Sequence, residues 1–304
     1  MQTIRSCGVE VAGVKIRNPK SAVAQLRAFT LLELLVVIAI LGILAALSVP
    51  ALKNLGKSNV QVSAARQLLD DVGRARQLAI SQHTTVYMVF VPEFFWNPVW
   101  FNAAGTPTTQ WNNLSYDQKV AGTNLLDKQL TGYNFVSLRS VGDQPGQGST
   151  RYISDWKALP DGAFIAGNKF NTFYSYNSSL PHNGGFYAFD AVKGVTYDIN
   201  SLNYTNLFPF PVETNFVGVP YLPYIAFNYL GQLTVDGLNL APRDEYIPLA
   251  QGTVAYAANI NKALQFAAPD ATENPPGNST NSMFTVIRID RLTGRATQLQ
   301  QKVQ

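Results

Sequence analysis

Residues 34–52 contain no charged side chain, and between Leu34 and Leu47 apolar residues fall on every face of a helical wheel. An amphipathic surface helix confines its apolar residues to one stripe, so a segment of this kind must be buried all round, in lipid or in a bundle. As a helix, residues 29–49 would rise about 31 Å and match a hydrocarbon core of roughly 30 Å, which predicts a membrane-spanning segment over residues 29–50. Its single acidic residue is Glu33. A carboxylate at the centre of such a helix costs on the order of 2.5–3.5 kcal/mol, less near the interface, and persists where a partner or a function holds it. The nearest upstream basic residue is Arg27, on the far side of Ala28 and Phe29.

Beyond Pro50 the apolar residues thin to a face. Leu52, Leu55, Val62, Ala65, Leu69, Val72 and Ala79 recur at helical spacing among Lys53, Lys57, Arg66, Asp70, Arg74 and Arg76, predicting an amphipathic helix over residues 51–82. Asp70 and Asp71 lie within helical reach of Arg66 and Arg74 and read as a solvated ion-pair face. Gly42 and Pro50 loosen the helix, the first by low propensity and the second by removing a backbone donor, so residues 42–50 are expected to bend or unwind on assembly.

After His83 the pattern turns to β. Residues 84–91 (TTVYMVFV) read as a first strand, followed by candidates at 163–166, 185–189, 225–229, 246–249 with 252–256, 284–290 and 295–299. The last two flank Arg291-Leu292-Thr293-Gly294, a connection suited to a terminal hairpin. A β-rich globular domain over residues 83–304 follows, with a Trp-rich insertion at about 93–150 and loop composition at 142–150 and 268–280. The order of elements is an α+β layout, with an antiparallel sheet laid on a long N-terminal helix.

The string Ala28-Phe29-Thr30-Leu31-Leu32-Glu33-Leu34-Leu35 resembles the prepilin signature of type IV pilins and type II secretion pseudopilins. That resemblance implies a pilin-like fold, no enzymatic activity and no cofactor. It also implies cleavage by a prepilin peptidase between Ala28 and Phe29, N-methylation of Phe29, and a register role for Glu33 as the acidic fifth residue. Gly42 and Pro50 match a helix-loosening pair of the family, whereas Ala28 replaces the usual Gly and is expected to slow cleavage. The implied partners are the peptidase, other pilin or pseudopilin subunits and an inner-membrane assembly platform. The segments at residues 65–90, 225–237 (IAFNYLGQLTVDG) and 283–296 (MFTVIRIDRLTGRA) are similar to H-type minor pseudopilins and related minor pilins.

Two other readings of the N-terminus remain open on the residues. A secretory signal peptide would use the small residues Ala46 and Ser48 and leave Val49 first, and a plain signal anchor would leave Met1 in place. N-terminal sequencing separates these from a chain that starts at Phe29.

Charge sharpens the topology. The net charge of +4 is carried by residues 1–28, where Arg5, Lys15, Arg17, Lys20 and Arg27 stand against Glu10, and the remainder has 18 basic and 18 acidic side chains. The basic leader is expected to stay cytoplasmic with the C-terminal domain in the periplasm, on a single-pass protein of the bacterial inner membrane. A neutral mature chain gives no reason to invoke nucleic acid. Cys7, the only cysteine, lies in the leader, so the mature chain forms no disulfide, in contrast to many major pilins.

Candidate chemistry is sparse. His83 and His182 are far apart, no carboxylate spacing suggests a zinc or calcium loop, and neither a phosphate loop nor a nucleophile elbow occurs. No catalytic, metal or cofactor site is therefore expected. An alternative function is an adhesive minor pilin whose Trp96, Trp100 and Trp111 stack on carbohydrate, and buried structural aromatics would explain the same residues.

Overall fold

The computed structural model describes residues 31–96, 99–102, 105–139, 142–143, 148–167, 169–170, 187–190, 195–198, 208, 222–279 and 285–300, with only the backbone at 45–59, 187–190, 195–198 and 300. The expected leader, the cut between Ala28 and Phe29, and His182 lie outside the described residues. Helix α1 (Leu31–Gln82) runs through Gly42 and Pro50 as one element. The chain divides into two compact units, residues 1–51 and 52–304.

In the second unit α1 ends at His83, which takes φ 49°. Thr84 N–H donates to the Ala79 carbonyl at 3.2 Å and His83 N–H to that of Ile80 at 3.4 Å. This pair of bonds is a Schellman cap, which satisfies orphan carbonyls and turns the chain into the first strand.

That strand is β1 (Val86–Phe90). Helices α2 (Thr109–Asn112) and α3 (Tyr116–Thr123) follow, the latter opened by a capping box in which Ser115 and Gln118 bond reciprocally. Next come β2 (Gly132–Ser137), β3 (Arg151–Tyr152), β4 (Lys157–Ala158), β5 (Ala163–Ile165), β6 (Tyr187–Asp190) and β7 (Val195–Asp198). The chain continues with β8 (Tyr224–Phe227), β9 (Leu233–Thr234), β10 (Glu245–Ala255), β11 (Asp270–Glu273), β12 (Thr285–Ile289) and β13 (Ala296–Gln300). One sheet has the order β3-β2-β1-β8-β9 with β4 also on β2, a second has β11-β10-β12-β13 with β5 also on β10, and β6 pairs β7. Every pairing among the described strands is antiparallel, so the chain is α+β as its pattern implied.

Two cores explain this arrangement. On β1, Val86, Met88 and Phe90 join Ala64, Ala65, Leu68, Val72, Ala75 and Ala79 of α1 in a core shared with both large sheets. The alternate residues Tyr87 and Val89 join Phe95, Trp96, Trp100, Leu114 and Phe208 in a second core. The first sheet is thus buried on both faces, which is why β1 reads as an unbroken apolar run. On α1 the buried face is mostly alanine, whose small side chains let helix backbone and sheet approach closely.

The sequence pattern does not predict β2, which pairs with all five residues of β1. Gly132 and Asn134 break its apolar run, and Asn134, although buried, finds partners in Ser154 Oγ and the Phe135 N–H. Strand β11 falls in a segment whose composition reads as loop; it is exposed and held by pairing to residues 252–255.

Candidate assembly helix and the sites around it

Every residue from 31 to 44 is exposed. Leu31 is 82% exposed, Ile43 62%, and the least exposed large side chain in this stretch, Val37, still 46%. Apolar residues are therefore open on all sides, far beyond the isolated exposed leucines of an ordinary surface. Glu33 lies in the first turn of α1, where the helix dipole favours an acidic side chain by about 0.3–1 kcal/mol. Among the described residues no helix is long and apolar enough to cross a membrane. The exposed run at 31–44 rises only about 20 Å, short of a hydrocarbon core, and the side chains that would extend it, at 45–59, lie outside the described residues.

The structure places the sequence-predicted site residues as follows. Glu33 and Gly42 are on the exposed stretch, and nothing stands within 4 Å of where a Cβ on Gly42 would point. Pro50 is described by its backbone within α1. Ala28 and Phe29 lie outside the described residues.

Within the globular unit, one polar cluster that the sequence pattern misreads fixes how α1 meets the first sheet. Asp71 is buried rather than part of a solvated face. It accepts the Tyr133 hydroxyl at 2.6 Å and pairs with Lys157. Gln67 Nε2 donates to the Tyr133 hydroxyl at 2.8 Å and to the Ala158 carbonyl at 2.9 Å. Burial and the adjoining Asp71 hold the Tyr133 hydroxyl well above its ordinary pKa, so it stays a donor. Helical periodicity around Val72 puts Asp71 at the edge of the buried stripe, but its partners come from strands 62 and 86 residues away in sequence. Local spacing to Arg66 and Arg74 gives no sign of them.

A second junction joins the two large sheets. The turns at 228–231 and 291–294 meet back to back: Gly294 has φ +63°, and a Cβ on it would stand 2.0 Å from the Gly231 carbonyl oxygen. No side chain fits that contact. Leu233 N–H donates to the Arg291 carbonyl at 3.0 Å, and Arg76 Nε of α1 donates to the Thr293 carbonyl at 2.6 Å. Asp290 caps its turn by accepting from the N–H groups of Leu292 and Thr293 and from the Thr293 hydroxyl, and these bonds hold its carboxyl below the usual range.

The tryptophans form no open platform. Trp100 is fully buried and Trp96 is 3% exposed. Half-buried Trp111 packs at 4.8 Å from Phe266, which itself stacks on Phe101 at 4.1 Å. These rings build the second core, leaving Trp96 and Trp100 no face for a sugar to stack on. Nor does any group of three or more His, Cys, Asp or Glu residues capable of holding a metal occur among the described residues.

No curated protein and no solved structure matches the chain. A family model, the prokaryotic N-terminal methylation motif, matches residues 26–49, the stretch that contains Glu33 and the exposed apolar turns of α1. With that stretch the chain carries the N-terminal signature of type IV pilin-like and pseudopilin-type proteins.

Proposed function

We propose that the chain is a structural subunit, a minor pseudopilin or minor pilin, of a type II secretion pseudopilus or a type IV pilus-like filament. The signature implies processing by prepilin peptidase and assembly with other pilin subunits. In this reading the precursor is anchored in the bacterial inner membrane, leader in the cytoplasm and globular unit in the periplasm. The peptidase cuts between Ala28 and Phe29, and Phe29 is methylated. An assembly platform in the inner membrane then extracts the subunit into the filament.

The observation that carries this reading is the apolar stretch 31–44, open on every side, with an acidic residue in its first turn and inside the matched motif. In the membrane lipid covers it, and in a filament neighbouring helices do, so packing exchanges one apolar environment for another. A carboxylate is costly in either, and Glu33 offsets that cost by pairing with the Phe29 ammonium of an adjacent subunit, which also fixes axial register. Gly42 and Pro50 give the helix room to bend as it enters the filament. The order of long helix, strand, Trp-rich stretch and antiparallel strands, together with the segments at 65–90, 225–237 and 283–296, supports placing it in the H-type minor group.

The test is intact mass and N-terminal sequence of the wild type and Glu33→Ala, with the amount recovered in sheared filaments. Wild-type chain should begin at methylated Phe29. Glu33→Ala should insert and be cut normally but be depleted from filaments. A mature start at any other residue, or undiminished incorporation of Glu33→Ala, overturns the reading.

A further inference from the structure

In the unit formed by residues 52–304, strands β1 and β10 run back along α1 toward its Val60 end. Strand β1 leaves the cap at His83, and Tyr133, the partner of Phe90 on β2, bonds Asp71 and Gln67. Strand β10 starts beside the 291–294 turn that Arg76 bonds, since Glu245 pairs with Ile289. By Gly252 it has reached Val60: Gly252 N–H donates to the Gly162 carbonyl at 3.0 Å, and a Cβ on Gly162 would lie 3.4 Å from Val60 Cγ1. The strand from 245 to 252 and the helix from 76 to 60 are both about 24 Å long, so they lie side by side in opposite directions. The Trp-rich stretch and the loop after β10 therefore form a lobe at the Val60 end. There Ile165 N–H donates to the Leu130 carbonyl at 2.8 Å, Tyr256 bonds Thr131, and Leu264 and Phe266 pack with Trp96, Trp100 and Trp111.

This lobe presents isolated apolar tips. Ile260, 98% exposed, is the apex of a turn that holds its own shape. Asn259 N–H donates to the Ala263 carbonyl and Lys262 N–H to the Asn259 carbonyl, both at 2.9 Å, while Asn259 Oδ1 accepts the N–H groups of Asn261 and Ala263. Tyr116, 80% exposed, opens α3 and shares a face with exposed Val120, whereas Gly122 is pressed against Trp100 on the other face. The charges nearby have both signs. Asp117, Asp161 and Asp270 are exposed, as is Lys262; Asp127 pairs with Lys128, and Lys119 bonds the Asn112 carbonyl. Lys53 and Lys57 precede Val60 in the chain.

A stable protein interface calls for about 800 Å² of fitted surface on each partner, which separate convex tips do not provide. The headgroup layer of a bilayer takes up single apolar side chains without a fitted surface, and tyrosine favours that layer. Residues 51–59 alone separate Val60 from the expected membrane segment, about 15 Å as helix and at most about 35 Å extended, so a bilayer surface stays within reach of this end. A tether makes the second contact intramolecular, and a weak one then suffices. We infer that Ile260 and Tyr116 dip into the headgroup layer of the membrane that holds the chain's own anchor, docking the globular unit there before extraction. With charges of both signs the lobe does not select anionic lipid; what it meets is a neutral headgroup layer entered by apolar side chains. Exposed Leu238 belongs to the opposite end, where Gly237 backs onto Thr85 just after α1, and takes no part. This inference rests on the membrane-anchored precursor proposed above.

The test inserts the full-length chain, with Cys7→Ser, into phosphatidylethanolamine–phosphatidylcholine vesicles that carry a headgroup nitroxide. An environment-sensitive fluorophore is placed on Asn261→Cys or on Leu238→Cys. The label at 261 should be blue-shifted and quenched by the nitroxide lipid, and the label at 238 neither. Adding Ile260→Asp and Tyr116→Asp should abolish both signals at 261, Ile260→Leu should preserve them, and high salt should leave them unchanged. No quenching at 261, equal quenching at 238, or a blue shift without quenching, which marks a protein neighbour such as a second copy, overturns the docking. Loss of the signals in high salt, or their survival in the Asp variants, overturns the apolar contact. Chain stripped from the vesicles by alkaline carbonate overturns the anchored reading and this inference with it, whereas failed docking of carbonate-resistant chain leaves that reading intact.

Discussion

The two ends of α1 are one helix by backbone and opposite by side chain. From 31 to 44 it presents bulky Leu, Ile and Val in every direction, all exposed. From 60 to 82 its buried apolar positions are Ala64, Ala65, Leu68, Val72, Ala75 and Ala79 on one stripe with Asp71 buried at its edge, while Arg66, Asp70 and Arg74 face water. Small residues on one stripe mark a helix whose partner is supplied by its own chain, because they let the sheet come close. Large residues all round mark a helix whose partners must come from outside, since no single sheet can cover every face. The contrast is between folding and assembly.

Paired substitutions break that contrast at its strongest point. Leu68→Ala removes a fully buried side chain from the first core and should lower the stability of the globular unit by about 2–5 kcal/mol. Ile38→Ala removes comparable volume from an exposed position and should leave the melting of detergent-solubilised chain unchanged while reducing recovery in filaments. Equal effects of the two on melting would show that residues 31–44 are packed by the chain itself.

A smaller effect is expected at Asp71. Asp71→Ala strands Lys157 and the Tyr133 hydroxyl, and should cost about 2–3 kcal/mol, below the value for a fully buried pair because Lys157 can reach water. Adding Lys157→Met should recover part of that loss in chemical denaturation. No recovery would mean that the cluster acts through Tyr133 and Gln67 instead.

The smallest effect concerns Glu93, whose partial burial raises its pKa above the ordinary 4.5. The folded chain then holds this proton to higher pH than the unfolded chain does, so its contribution to stability falls as pH rises from 4.5 through the folded value. Glu93→Gln should therefore raise the melting temperature slightly at pH 7 and change nothing at pH 3. A gain of the same size at both pH values would point to packing rather than charge.

Much of this was legible locally. The apolar run with Glu33 needs only composition and length to be recognised, and β1, β5, β8, β10, β12 and β13 each carry a β-branched or aromatic pattern at the right place. Strand β10 merges two predicted pieces because pairing with β5, β11 and β12 holds Gly252 inside one strand. The terminal turn is read from Arg291-Leu292-Thr293-Gly294, since a tight connection needs a residue at ease with positive φ.

What the sequence determined by itself was therefore the set of elements whose period or composition is written in neighbouring residues: the all-round apolar helix, the amphipathic helix after it and the apolar strands. The tertiary structure alone decided which of these touch. It seated Asn134 and Gly132 in a central strand, buried Asp71 against Tyr133 and Lys157, closed Trp96 and Trp100 into a second core, and pressed the Gly231 and Gly294 turns together. Each of those outcomes depends on a partner tens to hundreds of residues away, and the free energy of burying a polar or aromatic group is set by that partner rather than by the residues beside it.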